Sequence, residues 1–149
     1  MSEIMLAQAE ADELIKLEKY RENDDFYEYP SLGGKITIPL ISADKREAFL
    51  LDISRGRIDL LKGTYQNRAR QSIALVRLDF GGVRHRNPDD EEIQGAHLHS
   101  YKAGYGDRWA KPVPESDFPN IGDLWQTLFD FMRFCHITRT PNLVRGLFV

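Results

Sequence analysis

Two histidines stand two residues apart in the run GAHLHSYKAGYGDRWAKPV, residues 95–113, and Tyr101 follows two positions later. In an extended strand successive side chains point to opposite faces. His97, His99 and Tyr101 would then share one face, with Ala96, Leu98 and Ser100 on the other. The small and apolar set suits a face covered by a helix, which leaves the His/His/Tyr set on the wetter side. A third histidine, His85, comes just after the Gly81-Gly82 turn.

Three chemistries use such a set. In the first, His97 and His99 act as acid and base on a phosphodiester near neutral pH, with His85 in support and no cofactor. Arg77 would hold the phosphate oxygens and Tyr101 would position a base or a hydroxyl. Arg68, Arg70, Tyr105 and Trp109 would bind the rest of an RNA strand, the aromatics by stacking. In the second, His85, His97 and His99 hold a divalent transition metal, joined by Asp79 or Asp107. In the third, the histidines only bond across strands, and Tyr101, Tyr105 and Trp109 dock a protein partner. The charge pattern places the metal-free RNA reading first. Residues 53–87 carry eight bases against two acids, whereas residues 1–30 carry nine acids against three bases. A basic stripe inside a chain of net charge -3 is an electrostatic footprint for phosphate, unless the acidic N-terminal segment lies on it.

The elements that must hold these residues read as one α+β domain over residues 1–149, built on a four- to five-stranded antiparallel sheet. A helix is expected over residues 3–22, capped by Ser2, with Ile4, Ala7, Ala11, Leu14 and Leu17 as its apolar stripe. Period-two alternation then gives strands at 35–42, 48–54, 57–69, 72–80 and 94–102, so the sheet spans residues 35–103. Pro39 points to an edge strand for the first of these. The second parity of 57–70 collects Lys62, Thr64, Gln66, Arg68 and Arg70; whether it shares the histidine face depends on register, which sequence does not supply. Ile121, Leu124, Trp125, Leu128, Phe131, Met132 and Cys135 mark a C-terminal amphipathic helix over 121–136 that packs on the sheet.

With one cysteine, Cys135, no intrachain disulfide forms, which together with the absence of a signal-peptide pattern points to the cytoplasm. No run approaches the roughly 20 apolar residues of a membrane span. His136-Ile137-Thr138 reads as a helix end, because a two-histidine phosphoesterase needs a second H-x-T unit.

The strings R-L-D-x-G-G-x-x-H-x-N-P-D, from Arg77 to Asp89, and G-x-H-x-H-x-Y-x-x-G-Y-x-D-x-W-A, from Gly95 to Ala110, carry a family resemblance. Over about residues 56–113 the chain resembles a family of small bacterial and phage-borne proteins with no assigned activity. The resemblance implies a setting among mobile elements, where RNA-cutting toxins of toxin–antitoxin pairs and inhibitors of host defence are common. It leaves the protein a possible endoribonuclease, with a partner-binding module or a metal protein as the alternatives.

Overall fold

Alternating apolar and polar residues from Lys35 onward do build strands, and the sheet they form is larger than the alternation announces. The computed structural model describes residues 6–82 and 84–146. In chain order the described elements are α1 (Gln8–Lys16), β1 (Lys19–Arg21), β2 (Phe26–Glu28), β3 (Lys35–Ser42), β4 (Ala48–Arg55), β5 (Gly63–Ala69), β6 (Ile73–Phe80) and β7 (His85–Arg86). They continue with β8 (Glu92–Ile93), β9 (His97–Ser100), β10 (Ala110–Pro112), α2 (Leu124–Phe134), β11 (Ile137–Arg139) and β12 (Asn142–Val144). Eight strands make one sheet in the order β10-β9-β6-β5-β4-β3-β1-β11. Its neighbours are antiparallel except β1 and β11, which run parallel.

The expected mixed α+β class therefore holds, while the four- to five-strand count is too low. The added strands are β1 and β11 from the two ends of the chain and β10, which follows the turn after β9. The helix expected over 3–22 stops at Lys16, and its proposed cap Ser2 and Ile4 lie outside the described residues. Leu17 turns to ψ 134°, and Lys19–Arg21 enters the sheet between β3 and β11. Lys19 explains the stop. Its ammonium is buried and donates to the carbonyls of Ile15, Leu17 and Cys135 at 2.8–3.0 Å, tying the end of α1 to the end of α2.

Pro39 does not mark an edge, since β3 lies between β4 and β1. Its carbonyl accepts from Glu22 N, so its nitrogen faces the same side, just past the last β1 residue. No ladder bond is lost there. Residues 57–62 form a turn rather than the start of β5, closed by Gly56 N to Lys62 O and pinned by Asp59. Helix α2 begins at Leu124 rather than 121 because Asp123, not Asn120, is its N-cap, accepting from Gln126 N at 3.0 Å.

One sheet face is apolar and covered by the helices. Leu128, Phe131 and Met132 of α2 and Cys135 at its C-cap pack over Ile38, Leu51, Ile53, Tyr65, Leu78 and Phe80, with Ala11 and Leu14 of α1 in the same cluster. Each large side chain buried this way contributes about 1.5–3 kcal/mol. The opposite face is polar, and register aligns its residues in two rows. One runs Thr37, Asp52, Gln66, Arg77, His99; the other runs Ser54, Thr64, Asp79, His97. The polar parity of β5 thus does share the histidine face.

Burial holds the Lys19 ammonium down at about 8, from an ordinary value of 10.5. Between those values the unfolded chain binds more proton, so this group adds stability as pH rises from about 8 towards 10.5. Lys19→Met is expected to lose about 1–3 kcal/mol at pH 7, where three carbonyls lose a donor, and to lose that rise. Urea unfolding across pH checks both; equal pH slopes for the two proteins would refute the assignment.

Candidate metal centre

β6 and β9 bring the central residues together by register alone. Arg77 stands opposite His99 and Asp79 opposite His97, all on the polar face. Thr64 on β5 adds a hydroxyl, donating to Asp79 Oδ1 at 2.8 Å. Asp79 Oδ2 lies 3.1 Å from His99 Nε2 and 3.3 Å from His97 Nε2.

Two loops fold over these strands and close the site. Lys102 to Asp107 reverses the chain between β9 and β10, with Gly104 and Gly106 at φ 86° and 63°, which suits glycine. That turn carries Asp107 back so that its carboxylate meets Arg77 Nη1 and its carbonyl meets His99 Nδ1 at 2.7 Å. The β7–β8 hairpin forms the second cover. Asn87, buried, exchanges two side-chain bonds of 2.9 Å with the backbone of Ala110, clamping the hairpin onto β10. His85 is thereby laid over His97 with ring centroids 5.3 Å apart and edge-on to His99 at 4.6 Å. His97 and His99 end up 1% and 0% exposed, and His85 half-buried.

The three rings are wired alike. His97 Nδ1 bonds the Gly95 carbonyl at 2.9 Å, His99 Nδ1 the Asp107 carbonyl, and His85 Nε2 the Arg108 carbonyl at 2.8 Å. A carbonyl only accepts, so each of these nitrogens carries the proton and the other nitrogen of each neutral ring keeps its lone pair. One donor nitrogen from each ring lies within 4.8 Å of the other two. Arg77 Nη2, 3.0 Å from His99 Nε2, agrees with this tautomer, because a guanidinium can only donate.

The consequence is an electrostatic conflict. Burial raises the carboxyl pKa of Asp79, but the His99 contact, the Arg77 charge and the Thr64 bond outweigh it and hold Asp79 well below the usual carboxylate range; the His99 share is that of a ring proton on Nε2, and with Nδ1–H rings the opposition falls to Arg77 and Thr64. Burial lowers the pKa of His97, against the Gly95 bond and the Asp79 charge, which favours the neutral ring. An ionised carboxylate thus faces the unprotonated nitrogens of two imidazoles. Acceptors packed against acceptors call for a cation between them, and Arg77, reaching Asp79 Oδ2 at 3.2 Å, supplies part of one.

Other expected site residues lie elsewhere. Tyr101 does not share the histidine face: it is buried in the apolar core, and its hydroxyl donates to Leu6 O and accepts from Leu6 N, each at 2.8 Å. A bulge between Asn67 and Arg68 leaves Leu75 without a β5 partner, and Leu75 and Val76 are both buried. Tyr101 N bonds Leu75 O, so the alternation is broken there too. Arg68 forks onto buried Asp52 at 2.6 and 2.9 Å, and Arg70 bonds Glu10 of α1 and Glu47. The basic stripe is therefore divided among local carboxylates, with α1 contributing one contact. Tyr105 and Trp109 pack edge to face at 5.7 Å, and Trp109 lines a cleft with Leu98 and Ser100, on the face opposite the histidines. Sequence reading missed Thr64, Arg86, Asn87 and Arg108 as site residues; the Asn-Pro-Asp-Asp run at 87–90 is a turn signal, and nothing in it announces the Asn87 clamp.

Fold and site together describe a mixed α+β protein with a half-closed histidine–carboxylate centre on the polar side of its sheet. The chain belongs to a family of unknown function (DUF6978), whose family model matches residues 6–137. No curated protein and no solved structure matches it. No helix among the described residues is long and apolar enough to cross a membrane.

Two substitutions separate support from chemistry. Tyr101→Phe is expected to destabilise the fold by about 1–3 kcal/mol, by stranding two buried backbone groups, while leaving the histidine NMR signals in place. Asn87→Ala is expected to move the His85 ring resonances more than those of His97 and His99, because it frees the hairpin and not the sheet. Uniform shifts of all three rings in either variant would contradict this division.

Proposed function

We propose that this protein binds a divalent transition metal through His85, His97 and His99, with Asp79 as a further donor. The observation that carries the reading is the common wiring of the rings: each gives one N–H to a backbone carbonyl, His97 and His99 turn Nε2 to Asp79, and one nitrogen of each of the three rings lies within 4.8 Å of the others. Metal-ligating histidines are held this way, since the outer bond fixes the tautomer and the ring plane. Imidazole and carboxylate donors without a thiolate suit Zn2+ and its transition-metal neighbours better than Mg2+ or Ca2+.

Distances support the same reading. The 3.1 and 3.3 Å separations around Asp79 are close to the roughly 3.4 Å edge of a tetrahedron with bonds of about 2.1 Å. The 4.8 Å bound on the three imidazole donors is wider, so the rings would draw closer around a bound ion. Burial also separates this reading from metal-free RNA cleavage. At 1% and 0% exposure, His97 and His99 have almost no surface with which to meet an RNA hydroxyl, whereas a metal needs only their inward lone pairs, that of His99 once Arg77 Nη2 gives it up. His85 and Arg77 line an open cleft of about 350 Å³ beside the centre; an ion bound next to it would make a coordinated water acidic and nucleophilic.

Chelator-treated protein is expected to take up one Zn2+ per chain in competition with a metal indicator, and Co2+ to give visible absorption bands. His97→Ala and His99→Ala, checked for folding by circular dichroism, should weaken uptake by more than the roughly 10–100-fold cost of losing an outer partner. A folded wild-type protein that binds neither ion, or variants that bind as well as the wild type, would overturn the reading.

A further inference from the structure

We infer that the cleft beside the three histidines is a phosphate site, so that a phosphate ester is the substrate or ligand presented to the metal; this rests on the metal reading above. The cleft is lined by Arg77, His85, Arg86, Pro88, Asp107 and Arg108. Its three guanidiniums are not fully neutralised by the carboxylates around them. Arg77 is engaged by Asp79 and Asp107, and Arg86 shares Glu92 with Arg84. Exposed Arg108 makes no ion pair among the described residues, and its backbone carbonyl, not its side chain, holds His85.

Arg77 joins the two regions. Its guanidinium touches His99 Nε2 and Asp79 at the centre and Asp107 at the cleft wall, so a ligand oxygen reaching the metal passes beside it. Guanidinium forks match carboxylates as well as phosphates, and the number of donors decides between them. A carboxylate offers two oxygens, and Asp107 already presents that group to Arg77. A tetrahedral phosphate offers enough oxygens for several guanidiniums and one metal position at once. Among the described residues that line the cleft the only aromatic ring is that of His85, and Trp109, with Tyr105 packed against it, lines the cleft on the other side of the sheet. The site therefore recognises the phosphate group and not a base. A small phosphomonoester and an RNA backbone both carry that group.

Calorimetry on zinc-loaded protein, with zinc uptake measured separately on every sample, tests the inference. Inorganic phosphate and phenyl phosphate are expected to bind, acetate to bind at least about 10-fold more weakly, and Arg108→Ala to weaken phosphate by about 10-fold with zinc uptake unchanged. A short single-stranded RNA binding more tightly than phenyl phosphate, with the same loss in Arg108→Ala, would support the site and assign the phosphate to a nucleic-acid backbone; the reverse order would support the site and assign a small monoester. Normal zinc uptake with no phosphate binding, or with acetate equal to phosphate, would overturn this inference and leave the metal reading standing. Failure of zinc uptake would overturn both.

Discussion

A carboxylate in a mostly buried position, facing the lone pairs of two neutral imidazoles, is the arrangement on which the polar half of this molecule depends. Asp79 is 14% exposed and ionised, and His97 and His99 turn unprotonated nitrogens towards it. An unpaired charge at such a site costs several kcal/mol. Arg77 and Thr64 offset part of that cost, and the remaining mismatch defines a place for a cation. If the rings were instead doubly protonated, Arg77 Nη2 would be pressed donor against donor at 3.0 Å from His99.

The rest of the fold serves this geometry. The apolar face, sealed by α1 and α2, fixes the register of β5, β6 and β9, because a one-residue slip would exchange Leu78 and Leu98 for Arg77 and His99 in the core. With register set, Thr64, Asp79, His97, Arg77 and His99 become neighbours without any special loop. Only His85 needs one, and the Asn87 clamp on Ala110 supplies it. The site thus combines a floor set by strand register with a third donor carried on a hairpin clamped to β10.

Much of the floor was legible in the sequence. Strict alternation put His97 with His99, and the same two-residue spacing relates Arg77 and Asp79; each pair keeps one face in the structure. Their juxtaposition was not legible, because register is a property of two strands and of the turns between them. Tyr101 failed for a specific reason: the bulge opposite Leu75 breaks the alternation that His97 and His99 obey, and a bulge leaves no mark in one strand's pattern. The sheet was undercounted because β1, β10 and β11, at three residues each, are too short for periodicity to register. Charge was the least faithful guide. The basic stripe is real in composition, yet Arg68, Arg70 and Arg77 are each engaged by carboxylates from other parts of the chain.

The central claim is that three neutral imidazoles aim their lone pairs at one point, and long-range 1H–15N correlation spectra of the histidine rings at neutral pH test it most directly. The structure requires Nδ1–H tautomers for His97 and His99 and an Nε2–H tautomer for His85, with the unprotonated nitrogens moving when Zn2+ is added. Doubly protonated rings at His97 and His99, or protons on the inward nitrogens, would mean that the cluster is an ion-paired network around Asp79 and not a metal centre.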